Sequence, residues 1–518
     1  MGKYDVAVVG GGIAGLACSN YLAKGGKKVI LLEQNHQAGG CMSGFWRKGF
    51  YFDGGDQSFE SGGIMFPMLK ELGVYDQHEW HKIEYRLKTA AYEFIATSID
   101  EAEQKMLDAF PGETGITDVF REVKGAAEFM METADPWHVY LIENPSLRNI
   151  YRFLKRLPEL KKWVDPEYKN KVCEAIKDEG LRNWFINAGY KGMPFLLFAG
   201  FWYSWVHDYW YPAGGIQSLM DSLVKNLEVH GGEARFKTSI KKILVKNGRV
   251  DGVLTEDDEK IEAEYVVYTG DYKRFVSHIL GEEYFKPEFV QKVKNTGVTE
   301  ALVAVFLGVD IPPEEIKKTL QTHHVIYLPT FEVIFPDENS DIDVHSRMWI
   351  EITCPSAESP KLSPSGKSSL VLQSFSSAKW QNYWKNNSED TKRTPEYQEL
   401  KKKVGMQLVK TAEAIIPGLS DKIEYMDVGT PLSSIRFTRN TEGASAGWSY
   451  GRSESSLIGK WGFVQIRTPV KGLYAAGHYT MWPGGVPMAA ITGKIAANFI
   501  LKKRPFAQIE MLYRLFGR

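Results

Sequence analysis

The stretch that decides the fold opens the chain, where residues 4–33 read YDVAVVGGGIAGLACSNYLAKGGKKVILLE. Residues 5–9 are mostly apolar and β-branched, which predicts a short buried strand. Residues 16–24 have helical spacing, and residues 28–32 predict a second strand that ends at Glu33. These elements form a β-α-β unit with a glycine-rich turn after the first strand and an acidic residue after the second.

The glycine-rich turn has the spacing G-x-G-x-x-G, formed by Gly10, Gly12 and Gly15. Gly10 allows a tight turn, Gly12 lets a pyrophosphate approach the backbone, and Gly15 lets the helix pack against the strand. The helix N-terminus faces the phosphate charge, and Glu33 can accept hydrogen bonds from a ribose 2′-hydroxyl. A turn without a ligand is the alternative. The predicted dinucleotide-binding residues here are Gly10, Gly12, Ile13, Ala14, Gly15 and Glu33.

Composition and charge exclude several classes of protein. The 518 residues suggest two to four domains at about 150 residues each. Lys and Arg number 63 against 64 Asp and Glu, and the net charge of -1 argues against a nucleic-acid partner. The four cysteines lack zinc-site or disulfide-framework spacing, and the sequence has neither a signal peptide nor an apolar run long enough to span a membrane. We therefore expect a cytoplasmic protein.

Two clusters that resemble metal sites are interpreted otherwise. The acidic run at residues 256–259 lies between two predicted strands and predicts a hairpin turn. His323 and His324 alternate along a predicted strand, so their side chains point to opposite faces. No metal site and no Ser-His-Asp hydrolase pattern is predicted.

A glycine doublet, Gly39-Gly40, follows shortly after Glu33, and the stretch at residues 49–55 contains the aromatic-Asp-Gly pattern of Asp53, Gly54 and Gly55. Both features resemble the flavoproteins with two dinucleotide folds. In those proteins the doublet wraps the flavin diphosphate, so the resemblance implies FAD. An ordinary loop is the alternative for the doublet alone.

The C-terminal part of the chain returns to the same plan. Residues 472–478 read GLYAAGH, and the loop PGGVP at residues 483–487 precedes a small-residue helix. A helix N-terminus there would direct its dipole at a bound anion or a reduced flavin ring. In related flavoproteins this segment closes over the flavin. The residues implied in cofactor binding are Gly477, His478, Gly485, Val486 and Pro487, with Ile240 and Gly270 from two central strands.

Further blocks follow in order along the chain: residues 211–216 read YPAGGI, residues 323–327 read HHVIY, and residues 359–366 read SPKLSPSG. With Thr430-Pro431 and the C-terminal loop, they resemble blocks of the phytoene desaturase, carotenoid isomerase and retinol saturase family. The resemblance covers nearly the whole chain. It implies an FAD-dependent oxidoreductase that acts on C–C or C=C bonds of a long apolar polyene or isoprenoid lipid by hydride exchange with flavin N5. A quinone or another electron acceptor would be a second partner.

The chain also departs from that family. Cys41 follows the doublet where many desaturases have Arg, and His478 stands where amine oxidases of the superfamily carry an acid. Desaturation, saturation and cis–trans isomerisation therefore all stay open. The candidate residues near the flavin ring are His478, His207 and Trp210. A flavin amine oxidase is one alternative, and a non-catalytic prenyl-lipid carrier similar to Rab escort proteins is another.

These patterns predict an α/β fold of the two-dinucleotide-binding flavoprotein class, with a discontinuous Rossmann-like FAD domain and a mixed α+β substrate domain. We assign the FAD domain to residues 1–85, 205–285 and 420–518, the last including a basic tail. A helical, membrane-facing substrate part is assigned to residues 86–204, and a substrate sheet to residues 286–419.

Two features suggest an apolar substrate and a membrane surface. The segment 195–211 is rich in Phe, Trp and Tyr, which predicts either an aromatic tunnel or ordinary core packing. Residues 151–171, interrupted by Pro158 and Pro166, and the tail 501–518 form basic amphipathic stretches that suit peripheral membrane contact. A solvated helix face is the alternative.

Overall fold

A computed structural model describes residues 4–55, 57–89, 92–95, 97–134, 147–330, 333–389, 392–450, 466–481 and 484–502. The strands are β1 Tyr4–Val9, β2 Val29–Leu32, β3 Gly44–Arg47, β4 Phe50–Asp53, β5 Phe59–Glu60, β6 Trp80–Lys82, β7 Tyr85–Thr89, β8 Glu93–Ile95, β9 Tyr209–Pro212, β10 Glu233–Arg235, β11 Ile240–Lys246, β12 Arg249–Thr255, β13 Lys260–Ile261, β14 Ala263–Tyr268, β15 Ala301–Val309, β16 His324–Leu328, β17 Ile350–Thr353, β18 Ser368–Ser376, β19 Ile423–Gly429 and β20 Leu473–Ala475.

The helices are α1 Ile13–Lys24, α2 Met65–Leu72, α3 Ile99–Ala109, α4 Gly115–Ala134, α5 Leu147–Trp163, α6 Tyr168–Cys173, α7 Glu179–Asn187, α8 Phe195–His207, α9 Ile216–Val229, α10 Tyr272–Arg274, α11 Pro287–Asn295, α12 Pro313–Leu320, α13 Pro355–Glu358, α14 Trp380–Lys385, α15 Pro395–Ala412, α16 Pro431–Thr438 and α17 Val486–Ile500. The elements fall into a parallel sheet with helices, a larger mixed sheet and a helical layer.

The parallel sheet collects strands from three distant parts of the chain. Its order is β10-β2-β1-β14-β20, and every neighbouring pair is parallel. Strands β1 and β2 are buried along almost their whole length, as expected of a sheet covered on both faces. This is the predicted α/β arrangement, assembled from a discontinuous chain.

A three-stranded antiparallel sheet, β11-β12-β13, lies beside the parallel sheet. The acidic residues 256–259 form the turn between β12 and β13, as predicted. Arg235 from β10 donates hydrogen bonds to the Glu259 carboxylate at that turn. The acidic run is therefore a solvated hairpin turn that ties two sheets together.

The mixed sheet has seven strands in the order β19-β15-β18-β17-β16-β7-β8. Two parts of the chain join it against expectation. Strands β7 and β8 come from the segment predicted to be helical, and β19 comes from the segment assigned to the FAD domain. Strand β7 pairs parallel to β16 across more than two hundred intervening positions, which local sequence patterns do not encode.

The helical layer, α3 to α8, has a core of its own. Trp202 of α8 is fully buried and contacts the rings of Phe94 and Phe120 at 6.3 and 5.1 Å between centroids. Part of the aromatic segment 195–211 is therefore core packing. Phe201 and Trp205 lie on another side of α8 and border a cavity described below.

Helix α5 corrects one expectation. It continues through Pro158, which was predicted to interrupt it. Pro158 has no N–H to donate to the carbonyl of Leu154, but Leu154 is 51% exposed, so water can reach that turn of the helix. Leu160 is buried against the helical layer. The basic tail residues Lys503, Arg504, Arg514 and Arg518 lie outside the described residues.

Within the described ranges, no helix is both long and apolar enough to cross a bilayer. Among the same residues, no group of three or more His, Cys, Asp or Glu side chains is placed to hold a metal ion.

Candidate active site

A cavity of about 540 Å³ opens at the carboxyl ends of the parallel strands, and we call it the glycine-rich cavity. It brings together most of the predicted cofactor residues from all three parts of the chain. Those that line it are Gly10, Gly12, Ile13, Ala14, Glu33, Gly39, Gly40, Ile240, Gly270, Gly477, His478, Gly485, Val486 and Pro487. The edge of a parallel sheet at its strand ends is where such folds bind ligands.

The first glycines each meet a different geometric requirement. Gly10 has φ +106°, and a Cβ there would lie 2.5 Å from Thr269 Oγ1. A Cβ on Gly15 would lie 1.9 Å from Gly10 O, so Gly15 is required for the close packing of α1 on β1. Gly12 differs, because no atom of the described residues lies within 4 Å of its Cβ position. Gly12 thus leaves space for a ligand to contact the protein backbone at this turn.

Helix α1 begins at this turn with its N-terminus free of side-chain capping. Gly12 is the N-cap residue, and no side chain hydrogen-bonds there. The first-turn N–H groups and the helix dipole are therefore available to an anion.

Glu33 is almost buried at the end of β2, and its carboxylate is partly used by the protein. Oε2 accepts from Gly11 N at 2.7 Å, and Oε1 accepts from the backbone N and the side-chain Nδ2 of Asn35 at 2.8 and 2.9 Å. A carboxylate has about four acceptor positions, so one position on Oε2 remains for a ligand hydroxyl. These bonds fix the orientation of Glu33 toward the cavity.

The glycine doublet lies directly against the first glycine-rich turn. Gly39 N donates to Gly11 O at 2.9 Å, and Gly39 has φ +133°. A Cβ on Gly40 would come within 3.2 Å of Gly12 Cα. The doublet is therefore a second backbone segment that faces the same space, rather than an ordinary loop elsewhere on the surface.

The C-terminal segment closes the cavity from the other side. Helix α17 crosses α1 so closely that a Cβ on Gly493 would lie 2.1 Å from Ala14 O. Gly477 N donates to Thr492 Oγ1 at 2.8 Å, which joins the end of β20 to α17. Among the residues that the structure describes, no side chain caps the N-terminus of α17 at Gly485. Two helix N-termini thus face one cavity.

His478 lies in this cavity and is partly buried. Burial lowers its pKa to about 4, so the imidazole is neutral at physiological pH. Its ring packs against Tyr479 at 4.6 Å. A neutral imidazole cannot supply the negative charge of the acid that amine oxidases carry at this place.

Four predicted cofactor residues do not line this cavity: Gly15, which lies where α1 packs on β1, and Asp53, Gly54 and Gly55. Asp53 does not line the glycine-rich cavity, because both its oxygens are turned inward to Tyr51 Oη, Tyr211 Oη and Ile216 N, at 2.6, 2.8 and 3.1 Å. Burial raises its pKa to about 6. Gly54 and Gly55 border a second cavity instead. The structure thus gives Asp53 a packing role that joins β4 to β9 and α9.

The two other candidates for catalysis also lie away from the cavities. Trp210 Nε1 donates to Asp208 Oδ1 at 2.8 Å, and its ring packs on Phe66. His207 ends α8, is exposed, and contacts the Tyr203 ring. Neither side chain lines either cavity, so of the three candidates only His478 is placed beside the predicted cofactor.

The second cavity has a volume of about 610 Å³, and we call it the aromatic chamber. One face of the seven-stranded sheet forms its floor, and α8 and β9 form its roof. Its aromatic lining consists of Phe45, Tyr85, Trp184, Tyr190, Phe201, Trp205, Tyr209, Phe306, Trp349, Phe375 and Phe437. Gly40, Cys41 and Tyr209 line both cavities, so the two spaces meet there.

Sequence reasoning missed much of this lining. Leu302, Phe306 and Phe375 come from strands β15 and β18, whose side chains alternate between the chamber and the opposite core. Their alternation was a usable signal, but it does not say which face borders a cavity. Asp271 and Arg274, which line the glycine-rich cavity, follow the strand that ends at Gly270 and were also overlooked.

The residues present fit an FAD molecule. The open space at Gly12, the helix N-termini of α1 and α17, and the remaining acceptor position of Glu33 suit a pyrophosphate and a ribose. At several of these glycines an added Cβ would clash with neighbouring protein atoms, so glycine is what lets the backbone lie close to this space.

Comparison with known proteins agrees with this geometry. The sequence profile of flavin-containing amine oxidoreductases matches residues 13–501. The chain is 24% identical to the all-trans-retinol 13,14-reductase of Danio rerio, over 96% of this chain and 86% of that protein. It is 24% identical to the chloroplastic prolycopene isomerase of Daucus carota, over 99% of this chain and 83% of that protein.

The fold is also similar to that of putrescine oxidase bound to putrescine, with a TM-score of 0.61 at 15% identity, covering 97% of this chain and 99% of that one. These matches confirm the predicted fold class, the FAD cofactor and the resemblance to carotenoid and retinol enzymes. The chain belongs to the flavin-containing amine oxidoreductase family and is an FAD-dependent oxidoreductase.

Proposed function

We propose that this protein acts on C–C or C=C bonds of a long apolar polyene or isoprenoid lipid. The proposal rests on one observation, the aromatic chamber that meets the glycine-rich cavity at Gly40, Cys41 and Tyr209. An apolar chain in the chamber would reach the end of the cofactor site through that junction. Relatives named for retinol, prolycopene and phytoene support the same substrate class.

The chamber wall suits such a substrate chemically. Its floor presents Leu302, Phe306 and Ile326, and its roof presents Phe201 and Trp205. Ring faces and aliphatic side chains hold a conjugated chain by apolar contact and exclude water. When bound, FAD supplies two-electron hydride exchange. The chain's own contribution is to orient the substrate along the chamber and to keep the reacting bond dry.

A spectral experiment tests the proposal. Oxidised, FAD-loaded protein is mixed anaerobically with phytoene and, in a parallel sample, with putrescine. Pre-reduced protein is mixed with all-trans-retinol. Loss of flavin colour with phytoene, or its return with retinol, supports the proposal, and the direction that reacts assigns desaturation or saturation. Bleaching by putrescine alone would make the protein an amine oxidase instead.

Conversion of prolycopene without net flavin reduction would assign isomerisation within the same substrate class. A protein that binds polyenes but changes none of them would instead be a lipid carrier.

A pair of matched variants locates the substrate. Leu302 is partly buried on β15 and borders the chamber, whereas Leu254 is partly buried on β12 and borders neither cavity. Leu302→Trp would fill part of the chamber, and we expect polyene binding to weaken by about tenfold or more, equivalent to about 1.4 kcal/mol. Leu254→Trp should leave polyene binding unchanged. Equal binding by both variants would place the substrate elsewhere.

Peripheral membrane contact and a quinone acceptor belong to the same proposal. On α5, Tyr151 and Leu154 are 67% and 51% exposed beside the exposed Lys155 and Lys161. Exposed apolar groups next to lysines suit the surface of an anionic membrane. We expect Leu154→Glu to reduce sedimentation with phosphatidylserine vesicles. Unchanged sedimentation would show that α5 does not contact the membrane.

A quinone acceptor is tested separately, by whether a soluble quinone reoxidises the reduced flavin.

A further inference from the structure

The floor of the aromatic chamber carries a histidine and a carboxylate on neighbouring strands. His324 on β16 and Glu351 on β17 both border the chamber, and His324 Nε2 lies 3.4 Å from Glu351 Oε2. The His324 side chain is only 3% exposed, and neither of its ring nitrogens has a hydrogen-bond partner among the described residues. Glu351 is 23% exposed. An almost fully buried imidazole thus borders the chamber with a carboxylate on one side.

The imidazole is held in place by its neighbours on the sheet. Its ring stacks on Tyr85 of β7, at 4.1 Å between centroids and 26° between planes. Tyr85 Oη in turn lies 3.4 Å from Ser58 Oγ. The parallel pairing of β16 with β7 places His324 directly opposite Tyr85. This stacking fixes the ring plane so that one edge faces Glu351.

The neighbouring histidine lacks this arrangement. His323 is also buried and has no hydrogen-bond partner in the described structure, but its ring packs on Tyr211 at 4.6 Å and it borders neither cavity. The two adjacent histidines are similarly buried, but only His324 borders the chamber and has a carboxylate beside it.

A reaction that adds or removes hydrogen across a carbon–carbon bond needs a proton as well as a hydride. The titratable groups that face His324 are Glu351, Tyr85 and His323. Burial, with the charge of Glu351 as a further cause, holds the pKa of Tyr85 well above its ordinary value, so the phenol stays protonated. His323 does not reach the chamber. Of the groups in this cluster, His324 and Glu351 both border the chamber floor, where a substrate would lie.

We propose that His324 exchanges the substrate proton, with Glu351 as its partner for proton transfer toward solvent. The inference rests on the proposed function. In desaturation, one carbon loses a hydride to FAD and the adjacent carbon loses a proton to the imidazole. A C=C bond forms, the substrate is oxidised by two electrons and FAD is reduced by two. In saturation every transfer is reversed, and the imidazolium donates the proton.

The test uses full-length, FAD-loaded protein and the variants His324→Gln and His323→Gln. The anaerobic rate of flavin bleaching by phytoene, or of recolouring by all-trans-retinol, is measured between about pH 5 and 9. We expect His324→Gln to slow the rate by about 10² to 10⁴-fold and to flatten its pH profile. His323→Gln should keep the wild-type profile.

A second measurement separates proton transfer from packing. Binding of all-trans-retinol, followed by quenching of tryptophan fluorescence, should change less than about twofold in His324→Gln, because glutamine keeps a polar side chain of similar reach. A rate within about threefold of wild type, with the same pH profile, would overturn the inference while leaving the proposed function intact. Loss of retinol binding in His324→Gln would make it a packing residue. Wild-type flavin that reacts with neither polyene removes the proposed function and this inference together.

Discussion

Gly12 provides the sharpest test of the cofactor site. In Gly12→Val, the new Cβ has no atom within 4 Å, and the backbone at φ -71° and ψ 177° is extended and open to any residue. The added Cβ therefore lies in open space at the wall of the glycine-rich cavity, where the valine side chain would compete with a ligand. The substitution should damage ligand binding and leave the fold intact.

The expected magnitudes follow from that geometry. Valine is a poorer N-cap residue than glycine, at a cost of about 0.5–1 kcal/mol, but it also restricts the unfolded chain by about as much. The apoprotein should thus keep its stability within about 1 kcal/mol. Overlap of the isopropyl group with the pyrophosphate costs about 1–3 kcal/mol, which weakens FAD binding about 5- to 150-fold.

The assay is a titration of apoprotein with FAD, followed by flavin fluorescence, together with the melting temperature at saturating and zero FAD. Gly12→Val should have a normal apoprotein melting temperature and a smaller increase with FAD, since ligand stabilisation scales with the logarithm of concentration over Kd. Gly15→Ala is the control, because its Cβ would lie 1.9 Å from Gly10 O. That variant should lose at least about 2 kcal/mol of apoprotein stability.

Wild-type FAD affinity in Gly12→Val would show that the ligand does not pass over this turn. A large loss of apoprotein stability in the same variant would show that the space at Gly12 is needed for packing instead.

Three further predictions concern buried groups. Burial lowers the pKa of His478 from 6.5 to about 4, so its contribution to stability is present above pH 6.5 and is lost as pH falls through 4. Between pH 6.5 and pH 4, the free energy of unfolding of the wild-type apoprotein should fall by up to about 3 kcal/mol more than that of His478→Gln, as measured by thermal unfolding. Equal decreases in the two proteins would contradict a buried, neutral His478. Burial raises the pKa of Asp53 from 3.8 to about 6, so its contribution is present below pH 3.8 and is lost as pH rises through 6. Between pH 3.8 and pH 6, the free energy of unfolding of wild type should therefore fall by about 3 kcal/mol relative to that of Asp53→Asn. Parallel pH profiles of the two proteins would be inconsistent with a buried carboxyl group. Gly493→Ala should lower the melting temperature and weaken FAD binding, because its Cβ would lie 2.1 Å from Ala14 O, and an unchanged melting temperature would argue against the tight α1–α17 crossing.

The cofactor site was largely predictable from the sequence because its requirements are local. A turn that must bring backbone close to a phosphate needs glycine at particular spacings, and Gly10, Gly12 and Gly39 occur at those spacings. The N-termini of α1 and α17 follow directly from strand–turn–helix patterns. The pattern around Asp53 does not specify the direction of its side chain, which three buried donors turn inward.

The substrate side was less predictable. The aromatic segment 195–211 predicted either a chamber or core packing. One side of α8 lines the chamber and another packs in the core of the helical layer. Trp210 and His207 are close in sequence to the chamber residue Tyr209, yet β9 and the end of α8 direct them elsewhere. Proximity along the chain could not distinguish these directions.

The sequence is enough to predict the β-α-β unit and the glycine turns, because both depend on spacings within a few tens of residues. It also predicts the family, because the family's blocks follow in order along nearly the whole chain. The folded chain was needed to show that β7 and β19 join the seven-stranded sheet and that His324 borders a cavity with Glu351 beside it. Strand pairing between distant segments depends on which faces the whole chain can bury together. That choice, rather than any local pattern, sets the wall of the chamber and the side chains that border it.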